Sequence, residues 1–138
     1  MGDFTLARHV TLAGPYIAYE LVGDGRSGPS DAVVVRYVSS GRFKHQSAAN
    51  EERSEAWDFT ADKGVSDLTL RADGSIAWIV KSLFGKPLRR EVHKIDRAGY
   101  ALLDVDDNGV DIQAGSLARS SSRIYWMHGS EPRSAPFG

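Results

Sequence analysis

The residues best spaced for chemistry are Asp104, Asp106 and Asn108, within Asp104-Val105-Asp106-Asp107-Asn108-Gly109. Oxygen-bearing side chains at alternate positions can converge on one hard cation, and the glycine allows the sharp turn. Calcium is the ion such a loop would take. The pattern then departs from known calcium loops. The position that would close an EF-hand is Gly115 rather than a glutamate, and Asp111 falls one place early for the propeller version. The other reading of the same residues is an acidic turn between two repeats, ending at Gly109.

No other constellation is as specific. The histidines are His9, His45, His93 and His128, and no two stand at the i,i+2 or i,i+4 spacing of metal ligands. Glu91 and His93 share one face of a strand, from which a carboxylate and an imidazole can exchange a proton. Neighbouring polar residues on an outer strand are ordinarily solvated, and that is the expectation for this pair. There is no Gly-x-Ser-x-Gly elbow to present a nucleophile. Gly23-x-Gly25-x-x-Gly28 has dinucleotide-loop spacing, but it leads into Pro29-Ser30-Asp31 and a strand instead of a helix N-terminus. It reads as a hairpin loop. Tyr19, Trp78 and Trp126 could stack on sugar rings, although recurrence at one strand position makes them core residues. Arg89, Arg90, Lys94 and Arg97 read as edge protection on an exposed strand. The expectation is no catalytic residue and no cofactor, with calcium at Asp104, Asp106 and Asn108 as the one candidate ion site.

The elements that must position these residues are strands. Asp67–Lys81 forms two apolar runs around Ala72-Asp73-Gly74, and Asp-Gly supplies the positive-φ positions of a tight hairpin turn. Ile76, Trp78 and Val80 lie on one face of the outgoing strand, with Ala77 and Ile79 on the other. Both faces are apolar, so both should be covered. Related hairpins occur at 10–22 around Gly14-Pro15 and at 116–128 around Ser120-Ser121-Ser122. Their second strands align as Ile17-Ala18-Tyr19, Ile76-Ala77-Trp78 and Ile124-Tyr125-Trp126. Such a recurrence, at a period of roughly 50 residues, points to stacked sheets or a propeller.

Each hairpin is followed by further strands: 32–38 and 42–45 after the first, 90–96 and 100–104 after the second, and 132–137 after the third. The units lie at about 8–46, 65–104 and 115–137 of a single all-β domain, 1–138. They are antiparallel four-stranded meanders, with the last cut short. Asp3–Ala7 reads as a lone extra strand. Residues 47–64 form a linker that could start as a short helix, with Trp57 and Phe59 anchoring its end; such a segment is also a place for a partner to bind.

Composition sets the outer bounds. A chain of 138 residues holds one core. With 17 basic and 18 acidic residues there is no electrostatic footprint for nucleic acid or an anionic membrane. The absence of cysteine removes disulfides and thiolate metal sites. No run is long enough for a transmembrane helix, and the N-terminal stretch lacks the pattern of a signal peptide.

One resemblance emerges from these motifs. Asp73-Gly-Ser-Ile-Ala-Trp78, Glu91-Val-His-Lys-Ile-Asp96, Leu102-Leu-Asp104, and Gly115-Ser-Leu-Ala118 followed by Ile124-Tyr-Trp126 and Pro132-Arg-Ser-Ala135 are similar to uncharacterised actinobacterial proteins. Those resemble TolB-like and WD40-like β-propellers, whose blades repeat an Asp-Gly-x-x-Ala hairpin ending in Trp or Phe. The likeness covers residues 65–137 well and 10–45 loosely. It implies a propeller-like fold, as a half-propeller or three-blade arc, and favours an extracellular or cell-envelope setting, but it transfers no active site. Three units are too few to close a ring. A homodimer, a longer chain, or a β-sandwich in place of a propeller would resolve this. The expected function is a non-catalytic, self-associating binding or assembly module. The alternatives are a carbohydrate- or calcium-dependent binding protein and an enzyme whose residues are dispersed over loops.

Overall fold

The computed structural model describes residues 4–25, 28–49, 64–81 and 89–138, and these are all-β. The first sheet is a meander of β1 (Phe4–Ala13), β2 (Tyr16–Gly25), β3 (Gly28–Tyr37) and β4 (Phe43–Ala48). The second is a meander of β5 (Gly64–Leu70), β6 (Ile76–Lys81), β7 (Arg90–Asp96) and β8 (Gly99–Asp106). The third contains β9 (Ala118–Arg119), β10 (Arg123–His128) and β11 (Glu131–Pro136), in the order β11-β10-β9. All pairings are antiparallel, and the isolated bridge Ile112↔His128 adds a partner beyond β9.

The turns are local chemistry. Gly74 takes φ +89, Asp73 Oδ1 accepts from Ser75 N–H at 2.9 Å, and Arg71 N–H bonds to Ser75 O. Gly25 pairs with Gly28, so the glycine-rich stretch closes a hairpin, as its neighbours in sequence imply.

The second sheet lies in the middle of the core. Every residue of β6 is buried. Ile76, Trp78 and Val80 pack with Leu70 and Val65 against Tyr16, Ala18, Val33 and Val35 of the first sheet. Ala77 and Ile79 pack with Val92 against Ile112, Ile124, Trp126 and Phe137. The doubly apolar strand is therefore covered on both faces. Each large aliphatic side chain buried there contributes about 1.5–3 kcal/mol relative to exposure.

Three expectations need correction. Residues 3–7 were expected to form a lone strand; residues 4–7 instead belong to β1, which pairs along its length with β2. A bulge between Arg8 and Thr11, with His9 at φ 55, disguises this continuity by shifting the apolar alternation by one residue. Glu91 and His93 were expected to be solvated, yet both are buried. Arg90 and Lys94, expected as edge protection, are also buried. The shared reason is that β7 is an inner strand of the middle sheet, with its two faces covered by the layers that form the two core clusters. The proposed helix and the anchors Trp57 and Phe59 lie outside the described residues.

Candidate functional site

The last residues of β8 point toward the third sheet. Asp104 and Asp106 pair with Val92 and Arg90 on the face that carries the second core cluster. Asp104 Oδ2 accepts from Trp126 Nε1 at 2.8 Å and from His128 Nδ1 at 2.9 Å, while Oδ1 accepts from Arg133 at 2.8 Å. Burial alone would raise this carboxyl, but the hydrogen bonds from Trp126 and His128 and the charge of Arg133 outweigh it. The Asp104 carboxyl is held below the ordinary carboxylate range.

Asp106 does different work. Its Oδ2 accepts from Asp111 N–H at 2.6 Å and Ile112 N–H at 2.9 Å, and its Oδ1 accepts from Asn108 N–H at 3.1 Å. Burial again opposes ionisation, but the donated backbone bonds prevail and lower its pKa. Asn108 turns into the loop itself, accepting from Val110 N–H and donating to Asp111 Oδ2 at 2.9 Å. The sequence motif is thus split. Asp104 serves the third sheet, while Asp106 and Asn108 build the turn. A ring nitrogen of His128 and one carboxylate oxygen each from Asp106 and Asp111 lie within 4.8 Å of one another, a group that does not include Asp104. His128 was missed because it stands 24 residues from Asp104, with no local signal linking them.

Two networks are buried in the first core layer. His93 Nε2 lies 2.8 Å from Glu91 Oε1, and its Nδ1 lies 2.8 Å from the Tyr100 hydroxyl. A proton on Nε2 satisfies both contacts. Trp78 stacks flat on the imidazole at 5.1 Å, and Arg89 pairs with Glu91 at 2.7 Å. This dense network orders the layer. Nearer β1, Arg8 donates to Glu20 Oε1 at 2.7 Å, and Glu20 Oε2 accepts from Val65 N–H at 2.8 Å. Asp31 sits beside them. Burial first, and Glu20 second, push its pKa up to about 9, so Asp31 is protonated at neutral pH.

The aromatic positions divide. Trp78 and Trp126 fill core, whereas Tyr19 is half-buried on the opposite face of the first sheet. That outer face carries Leu12, Ile17, Tyr19, Leu21 and Val34, none of which belongs to either core cluster, although Val34 is fully buried. Leu12 is 68% exposed. At its margin Arg36 sits over the Phe43 ring at 4.0 Å. An open depression nearby is lined by Tyr37, Ser40, Arg42, Phe43 and Lys44, which offer rings and cations but neither carboxylate nor imidazole.

Neither a family model, nor a curated protein, nor a solved structure matches this chain.

Proposed function

We propose that this chain is a non-catalytic binding or assembly module that self-associates through the outer face of its first sheet. The observation carrying this reading is that Leu12 and Phe43 are exposed on this face, beside the half-buried Ile17, Tyr19 and Leu21, all of which stand outside both core clusters. Apolar sheet faces are ordinarily covered, and a second copy offers a self-complementary surface at no cost in sequence. In this reading the three sheets are propeller-type blades, and two chains complete a ring of six.

Light scattering after size-exclusion chromatography tests the proposal. The expected result is a dimer across the micromolar range, with Leu12→Glu returning a folded monomer. A wild-type chain that remains monomeric at its highest soluble concentration overturns it.

A further inference from the structure

The geometry points to a site for a divalent transition-metal ion of the zinc type, formed by Asp106, Asp111 and His128 and oriented by Asp104. One donor atom from each of the three lies within 4.8 Å of the others. An ion bound at about 2.0–2.2 Å needs them somewhat closer. Asp111 is exposed, so its side chain has room to close that gap.

Three features separate this arrangement from an ordinary acidic turn. The first is the imidazole, which favours zinc, copper or nickel over the all-oxygen shells of calcium and magnesium. The second is the way His128 is held. Asp104 Oδ2 occupies its Nδ1 at 2.9 Å, leaving Nε2 as the nitrogen with no described partner. Asp104 is itself fixed by Trp126 and Arg133. A carboxylate gripping the far nitrogen of a ligating histidine sets both the tautomer and the ring direction.

The third feature is the backbone. The donors come from the end of β8, the following turn and the end of β10. The bridge Ile112↔His128 and the bond from Gly129 N–H to Asp111 O, at 2.7 Å, lock two of those segments together. Asp106 is 3% exposed and pinned by three backbone donors, so it arrives preorganised. Arg133 pairs with Asp104, and Arg90, opposite Asp106 on β7, donates to Ile112 O at 2.7 Å, so guanidinium groups flank the β8 side of the site. Three protein ligands leave a further coordination position for water.

Titration calorimetry on the chelator-treated full chain, with zinc chloride as the probe, tests the site. Cobalt(II) absorption provides a direct readout of coordination. The expected result is one zinc per chain, a tetrahedral cobalt spectrum, and no comparable heat from calcium or magnesium. Asp111→Asn, an exposed change that leaves the fold intact by circular dichroism, should weaken zinc binding at least tenfold, and Asp104→Asn by about 10–100-fold. His9→Gln should change nothing. Absence of zinc uptake, uptake equal to that of calcium, or uptake unaffected by Asp111→Asn and His128→Gln overturns the site.

Discussion

Trp126 Nε1 lies 2.8 Å from Asp104 Oδ2, joining the third sheet to the last strand of the second. Trp78, at the equivalent place in the preceding hairpin, donates to Ala49 O at 2.7 Å, just beyond the end of β4. In both cases the aromatic ring fills core while its polar edge ties one sheet's unit to the next. A buried indole N–H needs an acceptor, and here each acceptor comes from a different unit.

Replacing Asp104 by Asn should therefore loosen the junction of the second and third sheets. Loss of charge-assisted bonds to His128 and Arg133 is expected to cost about 1.5–3 kcal/mol in denaturant unfolding at neutral pH. The folded-state pKa is depressed, so this contribution is present above the unfolded value of about 3.9 and disappears as pH falls through the folded value. Wild type and variant should converge in acid. A constant difference down to the lowest pH would refute the assignment.

Asp31 predicts the opposite slope. Its folded-state pKa, pushed up to about 9, exceeds the unfolded value, so its stabilising contribution is complete below about pH 4 and is lost as pH rises toward 9. Asp31→Asn should flatten that decline and equal or exceed wild type at alkaline pH. Urea midpoints measured across this range decide the matter; a steeper alkaline decline in the variant would contradict it.

Gly64 and Gly99 form a matched pair. Both have positive φ, +85 and +100. A Cβ at Gly64 would lie 2.7 Å from Glu20 Oε2 and 2.8 Å from Arg8, whereas one at Gly99 would meet nothing within 4 Å. Gly99→Ala should cost about 1–2 kcal/mol from backbone strain alone. Gly64→Ala should cost clearly more, because the Glu20–Arg8 pair must also move. Equal thermal shifts for the two variants would count against the close approach.

Trp78 is fully buried, so Trp78→Ala should cost about 3–5 kcal/mol. Trp78→Phe keeps a ring in the core but removes the indole bond to Ala49 and leaves a smaller cavity, so it should cost less than the alanine change, at least about 1–3 kcal/mol for the buried carbonyl left unpaired. A Phe variant as damaged as the Ala variant would show that ring size, and not burial plus one hydrogen bond, dominates.

Local features of the chain determined the strands. Period-two alternation and turn residues at Gly14-Pro15, Asp73-Gly74 and Ser120–Ser122 lie within a few residues of the contacts they specify, so the three hairpins and the all-β class were legible. So was the covering of β6, because Ile76-Ala77-Trp78-Ile79-Val80 has no polar face to turn outward. Tertiary structure alone decided which polar residues are internal. Glu91, His93 and Lys94 look like solvated strand residues until β7 is placed between two partners and two layers. It also decided the junction around Asp104, which meets Trp126, His128 and Arg133 across separations of 22, 24 and 29 residues. Hairpin register is set by neighbours along the chain, whereas sheet stacking is set by which faces must leave water. That second requirement brings distant side chains together, and it built the junction where Asp106, Asp111 and His128 converge.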